Sequence, residues 1–150
     1  MNRRLLLGAA LIFGVVPALA LAAGTAMSPV VSTKLTGKTE APDKGDADGS
    51  AIAILHLDAK KGQACWDFKK VRKIDAPSAA HIHKGAAGKA GPVVVALGGT
   101  YKVKGCAKAA TAVIAAIEEH PNSYYVNVHT KKYPDGAIRG QLVAGMVRGA

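Results

Sequence analysis

His81-Ile82-His83 places two imidazoles two residues apart, just before the glycine-rich stretch Lys84 to Gly91. In a β-strand, positions i and i+2 share a face and lie about 7 Å apart. A metal–nitrogen bond spans only about 2.0–2.1 Å, so two such rings can lean onto one ion. A third histidine, His129, follows in Tyr124 to Thr130, where Tyr124, Val126 and Val128 alternate with Tyr125, Asn127 and His129. Arg139 follows in Ala137 to Val143, where Ile138 and Leu142 alternate with Arg139 and Gln141. With the apolar set facing inward, His81, His83, His129 and Arg139 are expected on one outer face. Neutral imidazoles suit copper and zinc. Three of them leave a coordination position open, as a catalytic metal requires. Arg139 would draw a small anion to that position. The competing reading is a wet sheet face whose histidines hydrogen-bond to Asn127, Gln141 or water.

Short strands must position these groups. Val30 to Leu35 reads as a first strand, and Asp43 to Ser50 as a turn. The turn is not a calcium loop, because Lys44 stands where the first ligand belongs and Leu55 where the closing glutamate belongs. Ala51 to Asp58 is apolar on both faces, as a buried strand would be, with His56 expected as a hydrogen-bonded core histidine. Lys60-Lys61-Gly62 turns this strand into Ala64 to Phe68, a hairpin with Trp66 and Phe68 on one face. Val71 to Ile74 reads as a further short strand ended before Pro77, and Ala79 to His83 as the histidine strand. Pro92 to Leu97 is an apolar run expected at the sheet centre, and Tyr101 to Cys106 alternates. Gly85 to Gly91 is a loop without the spacing of a phosphate-binding P-loop. Ala109 to His120 is the one helix, with Ala110, Val113, Ile114 and Ile117 as its stripe and Pro121 as its stop. His120, in the last turn, reads as structural. Pro134-Asp135-Gly136 turns Tyr124 to Thr130 back into Ala137 to Val143, making antiparallel neighbours. The pattern predicts a mostly β fold, a Greek-key β-sandwich or barrel of immunoglobulin-like or superoxide-dismutase-like type with one short helix.

The chain divides into a signal peptide over 1–22, a flexible leader over 23–29, a domain over 30–145 and a tail over 146–150. Asn2-Arg3-Arg4, the apolar run Leu5 to Val16 and the small-x-small sites at Ala18-Leu19-Ala20 and Ala20-Leu21-Ala22 carry the first assignment. The expected location is therefore periplasmic or secreted, with no transmembrane segment after signal cleavage. Without Arg3 and Arg4 the 20 basic residues fall to 18, against 10 acidic ones. A basic exported domain attracts anions, and no RNA- or DNA-binding motif accompanies the charge, which argues against nucleic acid as a partner. Cys65 and Cys106 are the two cysteines, and in an exported chain an isolated pair is most simply a disulfide. Closing a loop of about 40 residues stabilises a fold by roughly 4 kcal/mol in the chain-entropy model.

Several stretches, taken in order, resemble the CHRD domain. They are Leu35-Thr36-Gly37 with Glu40 and Pro42, the Gly49-Ser50 turn, and Cys65-Trp66. Further on they are His81-Ile82-His83-Lys84-Gly85 with Gly88 and Gly91-Pro92-Val93-Val94, then Tyr124 to Thr130, and Gly140-Gln141-Leu142. That family is named for repeats in chordin, and its biochemical role is loosely defined. A second, looser resemblance is to copper–zinc superoxide dismutases, which also set a His-x-His strand before a glycine-rich loop ending in Gly-Pro. It implies copper ligands at His81, His83 and His129, an anion-guiding arginine at Arg139 and a loop-tethering disulfide. The bridging histidine and the zinc ligands of that loop are absent here, and valines follow Gly91-Pro92. The resemblance thus implies at most a copper-only site acting on a small anion such as superoxide. The alternative is a non-catalytic module that binds a protein or an envelope polymer.

Overall fold

The computed structural model describes residues 29–150, so the expected signal peptide and all of the leader except Pro29 lie outside the described residues. Nine strands and one α-helix are present among them. The strands are β1 (Val30–Thr36), β2 (Ser50–Asp58), β3 (Gln63–Arg72), β4 (Pro77–Lys84), β5 (Val93–Ala96), β6 (Lys104–Lys108), β7 (Tyr124–Thr130), β8 (Ile138–Gln141) and β9 (Val143–Ala144). The helix is α1 (Thr111–Glu119).

Every pairing is antiparallel, in the order β5-β4-β7-β8-β1-β2-β3-β6, with β9 also against β1. The two ends of this sheet approach each other through residues 97–103. Leu97 and Tyr101 donate their amides to Ala80 and Ser78 on β4, and the Val103 carbonyl accepts from Phe68 on β3. The sheet is thereby a nearly closed barrel, which leaves few free edges. Period-two alternation fills its interior. Leu55 and Leu57 from β2, Trp66 and Phe68 from β3, Ile82 from β4 and Val126 and Val128 from β7 are all buried together. The indole N–H of Trp66 is satisfied by the Lys102 carbonyl at 2.9 Å. Helix α1 contributes Ile114 and Ile117 to the same core, while Ala110 sits exposed just before its first turn. No helix among the described residues is long and apolar enough to cross a membrane.

Cys65 and Cys106 face each other across β3 and β6 and form a disulfide. Three local expectations need correction. His56 is exposed rather than a core residue, because Leu55 and Leu57 take the inward positions and period two sends His56 out. Val71 and Arg72 end β3 instead of opening another strand, and Pro77 begins β4, where a first-residue proline costs no ladder hydrogen bond. The run at Pro92 to Leu97 yields an end strand, β5, with Val93 49% exposed. An apolar run alone does not distinguish a central strand from one whose inward residues merely pack on the core.

Candidate metal centre

Strands β4, β7 and β8 lie side by side, and their outward residues form a grid. Ala79 is opposite His129, His81 opposite Asn127, and His83 opposite Tyr125; Asn127 is in turn opposite Arg139, and Tyr125 opposite Gln141. His81 and His129 are thus diagonal neighbours, a separation that ring side chains can bridge. The alternation that sends Ile82, Val126 and Ile138 into the core places all these groups on the other face, as expected.

That face is only partly open to solvent, with His81 and His129 half-buried. His83 is 8% exposed, Arg139 3% and Asn127 2%. The loop after β4 lies over it: Gln141 donates to the Gly85 carbonyl at 2.8 Å, and Arg139 Nη1 to the Lys89 carbonyl at 3.2 Å. The expectation that Arg139 points outward holds only relative to the barrel core.

The three histidines each present a nitrogen, and these atoms lie within 4.8 Å of one another. His83 Nδ1 lies 2.8 Å from the Gly91 carbonyl, and His129 Nδ1 lies 2.7 Å from the Pro134 carbonyl. A carbonyl only accepts, so both rings carry their proton on Nδ1 and turn an Nε2 lone pair toward the site. His129 Nε2 lies 3.0 Å from His81 Nδ1, while His83 Nε2 is buried without a partner. Two donors on one metal lie roughly 3–4 Å apart given bonds of about 2.1 Å. Gathering all three therefore takes ring rotations of about 1 Å. An unpartnered buried nitrogen, two carbonyl-fixed tautomers and an uncharged donor set fit a late first-row metal. Burial, together with the neighbouring imidazoles, holds His81 below the ordinary histidine pKa, and burial likewise lowers His83.

Around the three histidines stand further groups, of which Tyr125 and Glu40 had no role assigned from sequence. The Tyr125 ring stacks on His83, with centroids 4.8 Å apart and planes 8° from parallel. The Arg139 guanidinium lies over the same ring at 3.6 Å from its centroid. Glu40 approaches Arg139 with Oε2 3.6 Å from Nε, both side chains nearly fully buried. Glu40 Oε1, Arg139 Nε and Asn127 Oδ1 have no hydrogen-bond partner. Burial pushes Glu40 up to about 7 against the pull of Arg139. His83, His129, Tyr125, Asn127 and Arg139 line one cavity of about 380 Å³. Tyr125 and Asn127 were placed on this face by period two. Glu40 was visible only as part of the family resemblance, because its approach to Arg139 spans about a hundred residues of sequence.

Gly91 is where the covering loop meets the site. Its carbonyl holds His83, and its amide donates to the Tyr125 hydroxyl at 3.1 Å. A Cβ there would stand 1.8 Å from the Lys84 carbonyl oxygen, a backbone atom that cannot yield. Gly91→Ala should therefore displace the loop. We expect a loss of about 1–3 kcal/mol of stability from overpacking. We also expect roughly 10- to 100-fold weaker metal binding from the lost support of His83. Chemical unfolding and copper titration read the two effects separately.

The family model for the CHRD domain matches residues 31–142. Neither the curated proteins nor the solved structures yield a match.

Proposed function

This chain belongs to the CHRD domain family, and from that premise we propose that it is an exported domain holding one copper ion on His81, His83 and His129 and acting on superoxide. The observation that carries the reading is the convergence of three imidazole nitrogens within 4.8 Å, with two tautomers fixed by carbonyls. Copper bound there would supply a one-electron relay, taking an electron from one superoxide to release dioxygen and giving it to the next, which leaves with two protons as hydrogen peroxide. The remaining work belongs to the chain. The Gly91 and Pro134 carbonyls orient the ligands, the Gly85–Gly91 loop limits solvent, and Arg139 supplies the cationic side chain of a cavity that Asp43 and Asp135 also line. Glu40 is close to half protonated near neutral pH, so the Glu40–Arg139 pair keeps part of its positive charge. The Arg139 charge would draw a small anion toward the histidines. The disulfide is consistent with the oxidising compartment that export implies, whether periplasm or exterior.

Copper titration of the purified chain, followed by a superoxide dismutation assay, tests this reading. One tight equivalent with turnover supports it in full. One tight equivalent without turnover reduces it to a copper-holding domain, and absence of binding overturns it. The pH profile is a further arm. Protons compete with the metal for imidazole nitrogens. Because His81 and His83 titrate below the ordinary value of 6.5, affinity should hold through that pH and decline only in more acidic solution. A decline already centred at 6.5 would show that the binding imidazoles are ordinary exposed ones.

A further inference from the structure

On the opposite side of the barrel, the outer face of β1, β2 and β3 carries a second cavity of about 340 Å³. Its wall includes Lys34, Lys70, Arg72 and Arg148, together with Ser50 and Ile52, and no carboxylate. None of the four cations takes part in an ion pair among the described residues. Like charges gathered on one sheet face repel, and a bound anion would offset that repulsion.

The chain gathers them by means of two separate devices. The first is a bulge in β3. Ile52 on β2 is opposite Lys69 and Ser50 is opposite Arg72, so one extra residue enters the strand between these pairs. Lys70 sits there in the left-handed region, at φ 51°. That conformation is uncommon for a residue with a side chain and re-aims it relative to a regular strand. The second device is the C-terminal segment, which returns across the sheet after β9. The Gly145 amide donates to the Val30 carbonyl at 2.8 Å, and the Val147 amide to Ser32 Oγ at 2.8 Å. Ser32 Oγ donates to the Gly145 carbonyl, and Lys70 Nζ to the Gly149 carbonyl, both at 2.6 Å. These bonds deliver Arg148 to the cavity from the far end of the sequence.

We propose that this cavity, where Lys34, Lys70, Arg72 and Arg148 converge around Ser50, binds a phosphoryl group, as a phosphomonoester or pyrophosphate carried on a larger exported or envelope molecule. The charge decides the class. Four cations exceed what a carboxylate or a sulfate ester can balance with its single charge. A phosphomonoester carries close to two negative charges at neutral pH, and a pyrophosphate more. Two of the cations are arginines, whose planar donor pairs match phosphate oxygens bidentately. The volume falls at the small end of ligand pockets, which suits one or two phosphoryl groups rather than an extended chain. The cavity shares no residue with the metal centre, so the inference stands whether or not copper binds.

Inorganic pyrophosphate is the probe, added to the purified metal-free chain and followed by amide chemical shifts. The expected result is saturable one-site binding with shifts centred on Ser50, Ile52, Lys70, Arg72 and Arg148. Affinity should fall at least 10-fold in Arg72→Gln/Arg148→Gln. It should change less than about 3-fold in Lys102→Gln/Lys104→Gln, which removes the same charge at exposed positions elsewhere. Sulfate should bind at least 10-fold more weakly than pyrophosphate. Four outcomes each overturn the proposal: no saturation, shifts centred on Arg139 and the histidines, equal losses in the two double variants, or equal binding of sulfate.

Discussion

Replacing His81 and His129 together by alanine should weaken copper binding by at least 10³-fold, equivalent to about 4 kcal/mol of binding free energy. The two rings already face each other, with His81 Nδ1 3.0 Å from His129 Nε2, and removing both leaves His83 as a lone donor. One imidazole does not hold a metal against solvent and competing ligands. The loss should be specific. His56→Ala and His120→Ala change exposed histidines outside the cavity and should leave the titration unaltered. The fold should survive the double substitution, because neither His81 nor His129 belongs to the hydrophobic core and the disulfide remains. Circular dichroism and thermal unfolding establish that point before the titration is read. If the double variant keeps its tight equivalent, the copper is held elsewhere and the metal centre is misassigned.

Arg139→Met should cost about 2.5 kcal/mol of stability at pH 8 and about 1 kcal/mol at pH 5. The pH dependence comes from Glu40. Its folded-state pKa, about 7, stands above the ordinary 4.5, so the folded chain holds that proton more tightly than the unfolded chain does. The stability this confers is complete below about 4.5 and is lost as pH rises through about 7. Above that range Glu40 is a buried anion, and Arg139 is its only ion-pair partner among the described residues. Without Arg139 the buried carboxyl keeps its proton at pH 8, and holding a proton one pH unit above a pKa of about 7 costs about 1.4 kcal/mol. At pH 5 the carboxyl is protonated with or without Arg139, and what remains is the lost packing of Arg139 on Tyr125, roughly 1 kcal/mol. Glu40→Gln removes the titrating group. In that background Arg139→Met should show no comparable dependence on pH over this range. Denaturant unfolding of the four proteins at both pH values makes the comparison. Equal destabilisation at pH 5 and pH 8 would mean that Arg139 supports the fold by packing alone.

The distribution of these groups shows what can be read along the chain. Alternation is local, since each strand residue points opposite to its neighbours whatever surrounds it. From Ile82, Val126 and Ile138 alone it follows that His81, His83, His129 and Arg139 share a side. The short link through Pro134-Asp135-Gly136 pairs β7 with β8. The same local rules give the mostly β fold and the helix carrying Ile114 and Ile117, and the compartment expected from the N-terminus gives the cysteine pairing. Where a strand sits in the sheet is not local. The apolar run at Val93–Ala96 became an end strand, and His56, framed by leucines, became a surface residue.

The sequence by itself determined which side chains lie on the histidine-bearing face, because period two is a property of the backbone. Only the tertiary structure decided that this face is covered. The Gly85–Gly91 loop folds back over β7 and β8, and Glu40 arrives from the segment after β1 to meet Arg139. Those contacts join residues that are distant in sequence, and their free energy depends on burial, which no local pattern encodes. Burial is what turns an arginine expected to face solvent into half of an ion pair, and what lowers the pKa of His81 and His83.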